Sequence, residues 1–237
     1  MEIQVPVPSG QIDGYLAEPA SEGPHPAVVI IHDALGLSQD ARDITERFAA
    51  EGYLALSPDL YSRGGRFRCI KSVFKALNAG QGQAFDDIEA ARQLIAARPD
   101  CSGKIGVVGF CVGGGFALAA AGSGFDASAP YYGFLPKDLS VLDDTCPMVA
   151  SFGKRDIALR GVAAKLETKL TEPGIPHDVK EYPHAGHGFA NKLSMGPLNA
   201  LLKVTGTFYH HDSSEDAWRR VMAFFGEHLA SAAPNAV

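Results

Sequence analysis

The segment GKIGVVGFCVGGGFALAA, residues 103–120, constrains the fold more than any other part of the chain. An apolar, β-rich run meets a glycine cluster and continues into small, helix-favouring residues, so the chain passes from a buried strand into a helix through one sharp turn. Cys111 stands at that turn, with Gly109 two residues before it and Gly113 two after. A side chain presented at such a strained turn needs glycines around it, because neighbouring Cβ atoms would crowd the backbone. The usual form of this elbow is G-x-S-x-G, and cysteine takes the serine position here. The helix that follows supplies free N–H groups and a positive dipole end, which favour a thiolate and any oxyanion built beside it. The same letters also suit a buried packing cysteine or a phosphate-binding turn, so the motif needs companions.

The rest of the chain alternates in the same way. Strand patterns occur at 27–32, 53–58, 104–110, 127–133, 148–153 and 177–183. Several are continuous apolar runs, as a parallel sheet covered on both faces requires. Helical periodicity occupies 40–52, 83–99 and 158–174, each ending at Gly or Pro breakers. A last helix is predicted from a cap at Ser213 or Ser214, with Trp218, Val221, Met222, Phe225 and Leu229 on one face. This order predicts a doubly wound, mostly parallel α/β sheet with helices on both faces, in one domain over residues 1–237. Segments 61–82 and 191–211 fit neither pattern. They follow strand ends on the side where such sheets bind ligands, and are expected to be substrate loops.

Composition removes several functional classes. A formal net charge of −6 argues against a generic nucleic-acid binder, which needs clustered Lys and Arg. No apolar run is long enough for a membrane span. The N-terminus has neither the basic start nor the apolar middle of a secretory signal, which predicts a cytoplasmic protein. Cys69, Cys101, Cys111 and Cys146 are scattered without zinc-type spacing and are expected to be thiols. His184 and His187 form an HxxH pair with no third ligand, so neither a metal nor an organic cofactor is expected.

Companions for Cys111 occur in the order that this elbow requires, nucleophile, acid, histidine. Asp156 lies just past the 148–153 strand and His187 just past the 177–183 strand, flanked by Gly186 and Gly188. Taken singly, Asp156 is an ordinary helix N-cap and His187 a polar loop residue. Three such residues at successive strand ends read as a Cys-His-Asp triad.

At these residues the chain resembles the dienelactone hydrolases, or carboxymethylenebutenolidases, of the α/β-hydrolase fold. The resemblance runs nearly full length through AVVIIHDALGL, SPDLYSRGG, DDIEAARQLI, KIGVVGFCVGGG, YYG, GKRD and YPHAGHGFA. It implies that Cys111 is the nucleophile, Asp156 the acid and His187 the base. It also implies an acidic residue after the first core strand that interacts with the resting cysteine, here Asp33 where the best-known members carry glutamate. A structural carboxylate paired with His32 or Arg42 is the alternative for Asp33. Where those members hold the substrate carboxylate with an arginine, this chain has Asn191. Their other substrate arginine has no clear counterpart, with Arg63, Arg66 and Arg68 as replacements or as a solvated basic loop.

The chemistry follows from residue types. His187 takes the thiol proton, Asp156 orients the imidazole, and the N–H groups of Val112 and Ala34 are the expected oxyanion donors. An acyl-thioester forms and water resolves it. Because a thiolate is itself a good leaving group, the tetrahedral intermediate collapses forward only when the other leaving group departs easily, as from enol esters, aryl esters and enol lactones. The expected partner is therefore a small-molecule ester or lactone, bound by a monomer or homodimer. A carboxylesterase or thioesterase acting on an uncharged substrate is the near alternative, and a non-catalytic thiol redox sensor the distant one.

Overall fold

The computed structural model describes residues 1–192 and 209–230. Eight strands form one sheet in the order β1-β2-β4-β3-β5-β6-β7-β8. They are β1 Glu2–Val7, β2 Gly10–Ala17, β3 His25–Ile31, β4 Leu54–Pro58, β5 Cys101–Phe110, β6 Ala127–Tyr131, β7 Met148–Gly153 and β8 His177–Tyr182. From β4 to β8 all neighbours run parallel, while β2 lies antiparallel to both β1 and β4. This is the α/β-hydrolase architecture.

The helices are α1 Gln39–Ala50, α2 Arg66–Ala79, α3 Gln83–Ala96, α4 Val112–Ala119, α5 Val162–Thr171 and α6 His211–His228. On one face, Phe48 of α1 packs on Trp218 and Phe225 of α6. On the other, Phe85 of α3 meets Phe116 of α4 edge to face, with α2 laid against both helices. Two covered faces explain why β3 and β5 read as unbroken apolar runs. Val28 to Ile31 and Val107 to Val108 are fully buried.

The predicted strands and helices are present, with three corrections. The hairpin β1–β2 was not anticipated. Its strands alternate, with Val5, Val7 and Ile12 buried and their neighbours exposed, which is the pattern of an antiparallel edge. Segment 61–82 is mostly helix α2 rather than a loop. Val73 and Leu77 are buried beneath it and Gly80 ends it in the left-handed conformation, φ 66°. The last helix begins at His211, where the His210 side chain accepts from the Ser213 N–H. Ser213 and Ser214 lie buried within its first turn and do not cap it. Of the second expected substrate loop, 193–208 lies outside the described residues.

The sheet order reverses about β3. Successive crossovers place β4 on one side of it and β5 on the other, which leaves a crevice beyond the carboxyl ends of these strands. Cys111 follows β5 at that crevice.

Candidate active site

The elbow is built by backbone contact. Cys111 adopts φ 56°, a conformation an L-residue rarely takes, and its N–H donates to the Tyr131 carbonyl at 3.1 Å. A Cβ on Gly109 would lie 1.9 Å from the Gly113 carbonyl oxygen, and one on Gly113 would lie 2.2 Å from the Ile31 carbonyl oxygen. One on Gly114 would lie 2.4 Å from the Tyr131 carbonyl oxygen. Glycine at these positions lets α4 start directly on the ends of β3, β5 and β6, which holds the half-buried sulfur at the floor of the crevice.

Asp156 and His187 reach the sulfur from loops locked to one another. The Lys154 and Arg155 N–H groups donate to the carbonyls of Tyr182 and Ala185 at 2.9 Å each. A Cβ on Gly153 would lie 2.6 Å from the Ala185 oxygen. One Asp156 oxygen accepts from the Ala158 N–H at 3.0 Å, the cap role, and the other lies 2.6 Å from His187 Nδ1. His187 Nε2 lies 3.0 Å from Cys111 Sγ. Asp156 thus caps the turn at 157–159 with one oxygen and holds the His187 ring with the other. Burial alone would push the His187 imidazole down, but its bonds to Asp156 and Cys111 outweigh that and raise it to about 10. The protonated ring then faces the sulfur.

Asp33 and Ala34 sit on the β3–α1 loop. Asp33 is 8% exposed, and one of its carboxylate oxygens accepts from the Leu35 N–H at 2.7 Å. Burial raises its carboxyl above the usual range, although that bond and the charges of His32 and His187 oppose the shift. Among the described residues no hydrogen bond joins it to Cys111, whose sulfur faces His187 instead. Neither proposed pairing partner engages the carboxylate through a hydrogen bond. His32 Nδ1 lies 2.7 Å from the Asp33 backbone oxygen, and Arg42 binds Glu2 and the Leu37 carbonyl. Leu35 and Gly36 both donate to Asp33, whereas the Ala34 N–H has no acceptor among the described residues. Val112 opens α4, where a first-turn N–H has no intrahelical acceptor.

The three side chains expected to bind substrate are differently placed. Arg63 is committed to structure: its guanidinium forms a two-bond pair with buried Asp87 at 2.6 and 2.8 Å and donates to Ser9 at 2.7 Å. Arg66 stacks over the exposed ring of Phe67 at 4.8 Å. Asn191 is 4% exposed and engaged at both ends of its amide. Its oxygen accepts from the Tyr132 hydroxyl and its Nδ2 donates to Asp40 at 2.7 Å. Both ends of its amide are thus committed to protein partners, unlike a side chain free to meet a substrate.

Two tyrosines were given no role by sequence reasoning. Tyr132 is fully buried at φ 39° and its ring lies 5.2 Å from that of His187, so the Asn191 brace acts on the imidazole through it. Tyr61 is 2% exposed and its hydroxyl has no partner among the described residues. The signals were present in YYG and DLY, but no letter tells which tyrosine hydroxyl is buried. An apolar side chain, Phe134, borders the site, its ring 6.4 Å from that of His187.

Known proteins resemble this chain over most of its length. A profile of the dienelactone hydrolase family matches residues 12–229. A Yersinia pestis protein provisionally named carboxymethylenebutenolidase is 28% identical over 254 residues, covering 98% of this chain and 90% of that protein. The carboxymethylenebutenolidase of Pseudomonas putida is 29% identical over 199 residues, 79% of this chain and 84% of that protein. The crystal structure of a dienelactone hydrolase-like promiscuous phosphotriesterase from metagenomic libraries has the same fold, with a TM-score of 0.81 at 21% identity, covering 97% of this chain and 99% of that one.

Proposed function

This chain belongs to the dienelactone hydrolase family, whose members act on ester and lactone bonds, and on that premise we propose that it hydrolyses activated esters or lactones through a Cys111-His187-Asp156 triad. The observation that carries the reading is the continuous line from Asp156 to His187 at 2.6 Å and on to Cys111 at 3.0 Å, with the cysteine held at φ 56° on the elbow. A thiol has a pKa of about 8.5 in isolation and needs assistance at neutral pH. The imidazolium beside Sγ supplies it. The thiolate attacks the acyl carbon, and charge builds on the carbonyl oxygen between the Ala34 and Val112 N–H groups. His187 then gives its proton to the departing enolate or phenolate. The remaining acyl-thioester is attacked by water, whose proton His187 accepts, and the thiolate is restored. Asp156 keeps the imidazole in one orientation throughout.

One set of observations favours an uncharged substrate over a carboxylate-bearing one. Arg63 is taken by Asp87, position 191 is an engaged asparagine, and the partly exposed Phe134 ring lies 6.4 Å from that of His187. The test compares wild type with Cys111→Ala on a dienelactone and on an uncharged aryl acetate. Turnover that the alanine variant lacks supports the triad, and equal rates in both proteins refute it. A preference for the aryl acetate supports the neutral-substrate reading, and a preference for the dienelactone overturns it.

A further inference from the structure

We propose that His32 is a positioning residue for the oxyanion-binding loop: its Nδ1–H pins the Asp33 carbonyl and thereby aims the Ala34 N–H at the substrate oxygen. This rests on the ester-hydrolase reading above and deepens it. A peptide unit is planar and trans, so the carbonyl of residue 33 and the N–H of residue 34 point in opposite directions. Whatever holds the one holds the other.

Two groups hold that carbonyl, His32 Nδ1 at 2.7 Å and the Gly36 N–H at 3.2 Å. The roles of the two ring nitrogens follow from their partners. The Leu60 N–H can only donate, and it meets His32 Nε2 at 3.1 Å, so Nε2 is bare and Nδ1 carries the proton. That proton goes to the Asp33 oxygen, which can only accept. The residue is 1% exposed, and burial pushes the imidazole below its ordinary value, which keeps the ring neutral and in this tautomer. The ring packs 4.9 Å from that of Tyr61, and turning it would orphan two buried backbone groups.

The turn at 33–36 commits its other groups in the same way. The Leu35 N–H donates to an Asp33 carboxylate oxygen at 2.7 Å and the Gly36 N–H closes the turn. Of the three N–H groups that follow Asp33 in the turn, only that of Ala34 has no acceptor among the described residues. Ala34 itself is half-buried and so within reach of solvent. The elbow abuts the same stretch: a Cβ on Gly113 would lie 2.2 Å from the Ile31 oxygen and 2.6 Å from the His32 oxygen. The first turn of α4, with Val112, is thus seated on the residue that precedes Asp33. The Val112 N–H takes its direction from its helix, whereas the Ala34 N–H takes its direction from His32.

The two ring nitrogens can be tested apart. In His32→Asn the amide nitrogen takes the place of Nδ1 and the Leu60 bond is lost. In His32→Gln the amide oxygen reaches the place of Nε2 and the Asp33 bond is lost. On an aryl acetate, per mole of folded protein by circular dichroism, kcat/KM of His32→Gln is expected to fall about 10- to 100-fold. His32→Asn is expected to recover most of that loss. The rate ratio between the aryl acetate and its thionoester, whose sulfur accepts hydrogen bonds poorly, is expected to shrink in His32→Gln and to hold in His32→Asn. A residue that only locks β3 to the loop after β4 would lower both variants alike with an unchanged ratio, and that result would overturn the proposal. So would a His32→Gln kcat/KM within about twofold of wild type. Wild type supplies a test that needs no variant to fold. A long-range nitrogen–proton NMR correlation spectrum is expected to show His32 as the Nδ1–H tautomer, and the Nε2–H tautomer would overturn the proposal. Absence of Cys111-dependent turnover in wild type removes the hydrolase reading and this one together, whereas normal turnover unaffected by His32→Gln removes this one alone.

Discussion

The two sides of Cys111 are built on opposite principles. On the β7–β8 side, Asp156 uses both carboxylate oxygens and His187 both ring nitrogens, and their loops are pinned by backbone bonds. On the β3–β4 side, Asp33 is buried with its carboxyl pushed up, and the Ala34 N–H and Tyr61 hydroxyl have no partners among the described residues. The satisfied side is held in one geometry by its own hydrogen bonds. The other side leaves buried or inward-facing polar groups without protein partners, at a cost in stability.

The sharpest way to break this contrast is Asp156→Asn. The variant keeps the shape but removes the acceptor that orients His187, and kcat is expected to fall about 10³- to 10⁴-fold in a steady-state assay. The same variant tests the folded-state electrostatics. A base raised above its ordinary value of 6.5 contributes stability that is full below 6.5 and is lost as pH rises through about 10. Urea titrations should show the wild-type advantage over Asp156→Asn shrinking across that window. A pH-independent difference would show that the pair does not hold the extra proton.

Arg63→Ala comes next in size. It strands the buried Asp87 carboxylate without its guanidinium, and the protein should lose roughly 2–3 kcal/mol of stability by urea unfolding. Its relative kcat/KM on carboxylate-bearing and neutral esters should not change. A selective loss on the anionic substrate would move Arg63 from the frame into the substrate site.

Asp33→Asn should have the smallest effect, with the opposite sign. A carboxyl raised by burial binds its proton more tightly in the folded chain, so its ionised form costs stability as pH rises above the ordinary 3.8. The asparagine variant should gain stability at neutral pH, a gain that fades as pH falls below 3.8. A loss of stability would place Asp33 on the satisfied side after all.

Sequence was informative wherever one physical constraint acted on contiguous letters. The parallel core was legible because strands buried on both faces admit little but apolar residues. The elbow was legible because backbone contact at 109, 113 and 114 tolerates no Cβ. Asp156 and His187 could be found because each ends a strand at a turn. What escaped depended on partners far apart in the chain. Arg63 is claimed by Asp87, Asn191 by Tyr132 and Asp40, and none of these pairings leaves a local pattern. The hairpin β1–β2 alternated visibly, yet its period differs from that of the core strands. Helix α2 was hidden by an arginine- and glycine-rich start that resembles a loop.

Asn191 also bears on how such a site can be re-engineered. Its amide bridges Tyr132, which packs on the His187 imidazole, to Asp40 in the first turn of α1. An arginine at that position cannot accept from the tyrosine hydroxyl, so it would leave that hydroxyl orphaned while drawing its own charge toward Asp40. The change is therefore epistatic: conversion to an anion-gripping pocket passes through a damaged intermediate unless positions 40 and 132 move with it. A library randomising the three together should yield functional arginine variants that single-site saturation at 191 does not.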